Sequence, residues 1–256
     1  MEKRGIGNMI LTKKYNFTEK DIEKTFILKT WWAALVILAP VKKITLFFCN
    51  YTDIHPNVFT FVAFLVRLVV ILGFSTGDPL LVGICGVLFQ VAYLIDCMDG
   101  PIARLKKKTS TFGRYFDHLS DLLCGALAIC ALAYGQGAVW SFLTFGIIYI
   151  YFSEYYITLL VNLVMEKRED LSAQIKGIGK TSIVVKYLNY RSFFFKNNFK
   201  SFLSMPDVEA VMLTIFPLIG QPLLGLKIGF VLIFVTSSYK VLSSFVSIQT
   251  GEKIFP

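Results

Sequence analysis

Apolar residues along the chain are gathered into long runs that are separated by short turns or by charged connections. A helix needs roughly 20 mostly apolar residues to cross the hydrocarbon core of a membrane, and six runs reach or approach that length. We therefore predict an all-α, polytopic membrane protein with six transmembrane helices. The predicted spans are 58–74, 80–98, 115–134, 138–164, 208–224 and 226–248.

A shorter apolar run between Trp31 and Val41 precedes the first predicted span, and charged residues lie on both sides of it. The run is too short to cross a membrane, and tryptophan close to lysine is typical of the headgroup region. We predict an interfacial amphipathic helix here, within a cytoplasmic N-terminal segment at residues 1–52. Residues 53–256 then form the six-helix transmembrane domain.

Positive charge is distributed unevenly between the connections. The turns at residues 77–79, 135–137 and 220–222 contain no Lys or Arg, whereas the N-terminal segment and the connections at 104–114 and 165–206 are rich in both. Cytoplasmic loops of membrane proteins carry an excess of Lys and Arg. The pattern therefore places both termini in the cytoplasm.

The composition supports a membrane location and argues against an ordinary soluble domain. Hydrophobic residues make up 55% of the chain, charged residues only 17%, and the mean hydropathy is +0.62. A net charge of +9 would suggest nucleic-acid binding in a soluble protein. Here we assign it to cytoplasmic loops facing anionic lipid, and we predict membrane lipids but no nucleic acid as partners.

Four aspartates flank the junction of the second and third predicted spans: Asp96, Asp99, Asp117 and Asp121. The spacing places each pair on one face of its helix, so that the two faces can meet. Four acids at the edge of the hydrocarbon repel one another unless cations neutralise them. Oxygen ligands favour Mg²⁺, Mn²⁺ or Ca²⁺, and a pair of such ions suits a diphosphate substrate. We expect two divalent cations, with Mg²⁺ as the first choice.

Small residues lie among these acids. Gly100, Ala103 and Gly113 leave room for a nucleotide to approach both helix backbones, and Arg104 can pair with a phosphate. The junction therefore combines a cation site with space for a phosphorylated ligand.

The stretch from Asp96 to Asp121 resembles the signature of the CDP-alcohol phosphatidyltransferase family. It agrees with the pattern D-x-x-D-G-x-x-A-R-x8-G-x-x-x-D-x-x-x-D at every fixed position. The resemblance implies a homodimeric membrane transferase whose catalytic domain is 53–256 and whose site opens to the cytoplasm. Such an enzyme moves a phosphate-linked alcohol from a CDP-alcohol donor to a hydroxyl acceptor in phospholipid synthesis, and CMP is the other product.

The resemblance also implies a role for each residue of the signature. Asp96, Asp99 and Asp117 are expected to bind the metal ions, and Asp121 is expected to be both a ligand and the general base that takes the acceptor's proton. The residues expected around the nucleotide and its phosphates are Gly100, Ala103, Arg104, Gly113 and, from a Pro-Asn pair before the first span, Asn57.

One departure bears on the acceptor. Family members with phosphorylated acceptors commonly have Lys or Arg after the last aspartate, whereas this chain has Leu122. Arg114 or the basic connection at 165–206 could supply that charge instead. The string Phe116-Asp117-His118 resembles the choline and ethanolamine phosphotransferase branch. CDP-diacylglycerol is the expected donor, and the alternative is a CDP-linked head group with a lipid acceptor.

Two other functions also use acids within a membrane. A polyprenyl transferase binds a diphosphate through aspartates and Mg²⁺, but it does not require the intervening Gly, Ala and Arg. A cation carrier needs acids near the middle of the membrane, whereas these four lie at the cytoplasmic ends of their spans. Both functions remain as more distant alternatives.

Five of the other charged residues in or beside the predicted spans have an interpretation from the sequence. Arg67 and Glu154 are costly within a membrane, and we expect each of them either to pair or to contact substrate. Lys240 can extend to the membrane surface, and Asp207 and Glu209 open a predicted helix, where acids are favourable. The Gly-Lys-Thr motif at 177–181 lacks the full spacing of a phosphate-binding loop, and we interpret it as part of a basic connection on the membrane surface.

Overall fold

The computed structural model describes residues 13–26, 29–171 and 182–250, and the motif at 177–181 lies outside them. Regular structure in the described residues is helical, apart from one isolated β-bridge between Lys29 and Phe199. This confirms the all-α class. The helices are α1 (Glu19–Glu23), α2 (Ala33–Tyr51), α3 (Pro56–Ser75), α4 (Pro79–Leu105), α5 (Thr111–Gly135), α6 (Phe142–Leu171), α7 (Ser182–Lys196), α8 (residues 205–218) and α9 (Pro222–Thr250).

In the described part of the chain, six helices are long and apolar enough to cross a membrane, as predicted. Five of them coincide with predicted spans: Pro56–Ser75, Pro79–Leu105, Thr111–Gly135, Phe142–Val164 and Pro222–Ile248. The sixth is α2, which the sequence predicted as a shorter interfacial helix. A π-helical turn at Ala33–Ile37 lies just before Pro40, and its wider backbone accommodates the proline ring, so that the helix continues to Tyr51.

The predicted span at 208–224 differs from the helix that forms there. Helix α8 ends at Leu218, because Gly220 adopts a φ of +72° and Pro222 begins the next helix. It is shorter than the roughly 20 residues that cross a bilayer. Many of its side chains are buried among its neighbours, and Thr214 Oγ1 donates a 3.1 Å hydrogen bond to the carbonyl of Gly86 in α4.

Helix α3 packs against both α4 and α5, and those two helices carry the four aspartates. The starts of the three helices follow from local sequence: His55, Asp78 and Ser110 accept hydrogen bonds from the first turns, and prolines occupy the first positions of α3 and α4. Because α4 and α5 form a hairpin, the last turns of α4 lie beside the first turns of α5. The start of α3 lies at the same end.

A polar chain ties the N-terminal segment to this core. Trp32 Nε1 donates a 2.7 Å hydrogen bond to Gln90 Oε1, and Gln90 Nε2 donates one of 2.7 Å to Thr214 Oγ1. The backbone amide of Trp32 donates to Asp207 Oδ1 over 2.6 Å. Helices α2, α4 and α8 are thus joined by partly buried hydrogen bonds.

Candidate active site

The hairpin of α4 and α5 brings the aspartates of the signature together. Oxygen atoms of Asp96, Asp99 and Asp117 lie within 4.8 Å of one another, and all three residues are partly buried. Asp121 lies one turn further along α5, on the same face as Asp117. The meeting of two acidic helix faces that the spacing predicted is therefore present.

Asp121 is held by an arginine rather than grouped with the other three acids. Arg67 Nη1 lies 2.6 Å from Asp121 Oδ1, and Arg67 Nη2 lies 3.4 Å from Asp96 Oδ2. Of the two outcomes expected for Arg67, pairing is the one that the structure shows. The same is true of Glu154, whose carboxylate lies 2.9 Å from Lys240 Nζ.

The donor set fits a hard cation. Oδ1 of Asp96 is buried and has no hydrogen-bond partner among the described residues. A buried carboxylate oxygen costs free energy unless something binds it. The neighbouring atoms of Asp99 and Asp117 are also carboxylate oxygens, which Mg²⁺ and Mn²⁺ prefer. These residues therefore suit a divalent metal ion.

A cavity of 280 Å³ opens beside Asp99 and Asp117. Its walls include every residue that was predicted to contact the nucleotide, and also the one predicted for the acceptor: Asn57, Gly100, Ala103, Arg104, Gly113 and Arg114. Space at Gly113 is tight, since a Cβ there would lie 2.6 Å from Asn57 Oδ1. The small residues thus keep the wall of the cavity close to the helix backbones.

The loop between α4 and α5 is anchored to the N-terminal segment. Lys106 Nζ donates hydrogen bonds to the carbonyls of Phe48 and Thr52 at the end of α2, and it lies 5.5 Å from the centre of the Tyr15 ring. Burial lowers the pKa of the Lys106 ammonium group. This contact holds one edge of the cavity in place.

The sequence interpretation missed several polar residues at the site. Thr60 Oγ1 donates a hydrogen bond to Asp99 Oδ2, and Tyr151 in α6 donates one of 2.7 Å to Glu209 in α8. Asn57, Thr60 and Arg67 are spaced by three and seven residues, so they lie on one face of α3. A stripe of polar residues on one face of an apolar helix could have been recognised in the sequence as a sign that this face borders the site. The Tyr151–Glu209 pair joins distant parts of the chain, and no spacing rule would have found it.

Comparisons with known proteins show which family this chain is similar to. Residues 53–240 match the model of a protein family described as CDP-alcohol phosphatidyltransferase. The archaetidylinositol phosphate synthase of Pyrococcus horikoshii is 32% identical over 93 residues, which are 36% of this chain and 48% of that protein. The bifunctional IPC transferase and DIPP synthase of Thermococcus kodakarensis is 31% identical over 91 residues, which are 35% of this chain and 20% of that protein.

The chain thus spans about half of the first of these relatives and a fifth of the second. Among solved structures, the phosphatidylinositol phosphate synthase of Mycobacterium tuberculosis with CDP-DAG bound has a TM-score of 0.45 and 12% sequence identity. That likeness covers 82% of this chain and 94% of the other.

Proposed function

Because this chain belongs to the CDP-alcohol phosphatidyltransferase family, we propose that it transfers a phosphate-linked alcohol from a CDP-alcohol donor to a hydroxyl acceptor. CMP is the second product. The observation that carries the proposal is the group of Asp96, Asp99 and Asp117 oxygens within 4.8 Å of one another, beside a 280 Å³ cavity. A cation-binding group next to a nucleotide-sized space is what transfer from a diphosphate requires.

The donor binds in the cavity, with its cytidine and phosphates against the small residues of α4 and α5. Gly100, Ala103 and Gly113 let the ligand approach the backbone, and Arg104 pairs with a phosphate oxygen. Asn57 lies beside Gly113 in the cavity lining and offers an amide to the phosphates. These contacts hold the β-phosphorus close to the aspartates.

Asp96, Asp99, Asp117 and Asp121 are the residues that would hold two divalent cations, Mg²⁺ before Mn²⁺ or Ca²⁺. When bound, these ions neutralise the diphosphate and stabilise the charge on the leaving CMP. The four carboxylates therefore position the diphosphate as well as the ions.

Asp121 acts as the general base. It accepts the proton of the acceptor hydroxyl while the acceptor oxygen forms a bond to the β-phosphorus. The bond from that phosphorus to the oxygen of CMP breaks, and CMP leaves. Asp121 lies one turn beyond Asp117, so it is next to the diphosphate site but outside the wall that binds the nucleotide.

CDP-diacylglycerol is the proposed donor. The name of the Pyrococcus horikoshii relative, archaetidylinositol phosphate synthase, describes an enzyme whose product contains inositol phosphate. Leu122 argues against a phosphorylated acceptor, whereas the exposed Arg114 in the cavity wall would supply a charge for one. The alternative, a CDP-linked head group with a lipid acceptor, is supported by the string at residues 116–118.

The site faces the cytoplasm in this proposal. The acidic end of the α4–α5 hairpin adjoins the Lys-rich loop at 106–110, and we place both termini on the same side of the membrane as this loop. We also propose a homodimer, as the family resemblance implies.

The test is CMP release by the purified protein in lipid nanodiscs, with CDP-diacylglycerol that is labelled in its lipid part. Serine, inositol, inositol phosphate, glycerol phosphate, choline and ethanolamine are supplied one at a time. The label should pass into a new phospholipid with one acceptor. Release of CMP from CDP-choline or CDP-ethanolamine with diacylglycerol, and none from CDP-diacylglycerol, would establish the alternative.

A further inference from the structure

Arg67 is a buried cation in the middle of a membrane helix. Its side chain is only 8% exposed, and it lies between two acids that belong to different helices. Placing a charge in such surroundings is costly unless it is fully compensated. An arginine here therefore needs a reason beyond helix packing.

The guanidinium group joins three helices at one point. From α3, Nη1 lies 2.6 Å from Asp121 Oδ1 in α5, and Nη2 lies 3.4 Å from Asp96 Oδ2 in α4. The shorter contact is an ion pair, and Asp121 Oδ1 accepts no hydrogen bond from the described residues. Asp121 is thus oriented by the charge of Arg67.

Helix α3 also contacts different aspartates through different side chains. Asp99 accepts a hydrogen bond from Thr60, two turns before Arg67 on the same face of α3, whereas Asp121 depends on Arg67. Helix α3 therefore fixes one acid of each helix of the α4–α5 hairpin. The planar, always charged guanidinium suits this double contact, which a single ammonium group cannot reproduce.

We propose that Arg67 is a positioning residue that orients Asp121 for removal of the acceptor proton. The inference rests on the proposed function, in which Asp121 is the base. Arg67 does not line the cavity that takes the donor, so its effect falls on the chemical step and on the acceptor rather than on donor binding. Because Arg67 lies between Asp121 and Asp96, it keeps the base at a fixed distance from Asp96.

A packing role makes a different prediction, and the chain contains a suitable control. Lys240 and Glu154 form another buried ion pair, with a 2.9 Å contact and side chains that are 19% and 10% exposed. That pair joins α6 to α9 and touches none of the four aspartates. Lys240→Met therefore measures what the loss of a buried cation does when no acid of the site is involved.

The first experiment measures kcat and the donor KM of Arg67→Met, Arg67→Lys and Lys240→Met in nanodiscs. We expect Arg67→Met to lower kcat by roughly 100-fold, within the range that a general base contributes, and to change the donor KM by less than about 3-fold. Arg67→Lys should recover about one tenth of the activity. An Arg67→Met enzyme with the kcat of Lys240→Met, or with its loss confined to the donor KM, would overturn the proposal.

The second experiment is a double-mutant cycle with Asp121→Asn. A residue that acts through Asp121 has little left to do once the base is gone, so Arg67→Met should change kcat by less than about 3-fold in the Asp121→Asn background. If the two losses multiply, Arg67 acts independently of Asp121 and the proposal fails.

The third readout does not require turnover. Arg67→Met leaves Asp96 and Asp121 without a partner, so the additional change Asp121→Asn should raise the midpoint of thermal unfolding above that of Arg67→Met alone. Binding of Mn²⁺, followed by electron paramagnetic resonance, should stay within about 10-fold of the unmodified protein in Arg67→Lys, whose cation keeps Asp96 in place. Two outcomes separate this inference from the proposed function. If the unmodified protein released no CMP with any acceptor, the proposed function would fail. If the effects of Arg67→Met and Asp121→Asn on the unfolding midpoint simply added, the Arg67–Asp121 pairing itself would be overturned.

Discussion

Tyr151 donates a 2.7 Å hydrogen bond to Glu209, and the pair occupies the space that a side chain at residue 125 would fill. Gly125 lies one turn beyond Asp121 on the same face of α5. Tyr151 is fully buried, and Glu209 is partly buried. Tyr151 from α6 and Glu209 from α8 thus lie one helical turn beyond the proposed base, Asp121, at a position in α5 where only glycine leaves room for them.

Gly125→Ala should therefore destabilise the protein and lower its turnover. The new Cβ would lie 2.0 Å from Tyr151 Oη and 2.9 Å from Glu209 Oε1, so the hydrogen-bonded pair must move. Overpacking of this kind costs about 2 kcal/mol of unfolding free energy. The midpoint of thermal unfolding and the rate of CMP release measure the two effects.

Gly83→Ala is the matched control, because Gly83 also lies inside a membrane helix but its nearest contact would be 3.7 Å away. Alanine there gains helix propensity without a clash, so stability should be unchanged or slightly higher. Equal unfolding midpoints for the two variants would show that the space at Gly125 is not restrictive.

The opposite end of the bundle depends on a close contact between two turns. Gly77 has a φ of +70°, and a Cβ there would lie 2.2 Å from the carbonyl oxygen of Gly135. Gly220 has nearly the same φ, +72°, but nothing lies within 4 Å of its Cβ position. The two glycines therefore share the same backbone requirement and differ in the space around them.

Gly220→Ala should cost about 1 kcal/mol through backbone strain alone, and Gly77→Ala should cost at least about 2 kcal/mol more, because its turn must separate from the end of α5. Chemical unfolding in detergent micelles measures both costs. If both variants lose the same stability, the contact between Gly77 and Gly135 contributes nothing.

Much of this architecture could be predicted from the sequence, because membrane helices and their ends follow local rules. Runs of apolar residues located five of the six long helices, and the spacing of Asp96, Asp99, Asp117 and Asp121 placed all four acids on facing helix surfaces. The residues predicted for the nucleotide line one cavity, because Gly100, Ala103, Arg104 and Gly113 lie on the α4–α5 hairpin and Asn57 lies at the start of α3, at the same end of the bundle.

The remaining features depend on tertiary packing. The extent of α2 was misjudged because the charged residues after Val41 were taken to end the apolar run, whereas the helix continues past them to Tyr51. Helix α8 is apolar enough to suggest a span, yet Gly220 and Pro222 end it early. The partner of Arg67 could not be chosen from spacing alone, since its contacts lie 29 and 54 residues further along the chain.

Asp117→Asn should abolish turnover and weaken the binding of Mn²⁺ by at least about 10-fold. The amide replaces an anionic ligand in the group formed with Asp96 and Asp99, and hard cations prefer the carboxylate. Titration with Mn²⁺ under electron paramagnetic resonance measures the affinity. Chelation with EDTA followed by addition of Mg²⁺ should remove and then restore the turnover of the unmodified protein.

Asp78→Asn is the control for the loss of one negative charge. Asp78 caps the far end of α4, where it accepts a 2.8 Å hydrogen bond from the amide of Leu81, and asparagine is an equally good cap. Binding of Mn²⁺ and turnover should therefore be unchanged in Asp78→Asn. Retention of Mn²⁺ affinity by Asp117→Asn would remove Asp117 from the proposed metal site.

Two arginines in the wall of the same cavity should separate into donor and acceptor roles. Arg104 lies on α4 beside Gly100 and Asp99, and Arg114 lies on the first turn of α5.

Arg104→Gln should raise the KM for CDP-diacylglycerol by about 10- to 100-fold, which corresponds to the loss of one hydrogen bond to a charged group. Arg114→Gln should leave that KM within about 3-fold and raise the KM for a phosphorylated acceptor only. Lys107→Gln removes a positive charge from the loop between α4 and α5 without touching the cavity wall, so both constants should stay unchanged. If Arg104→Gln and Lys107→Gln bind the donor equally well, Arg104 does not contact its phosphates.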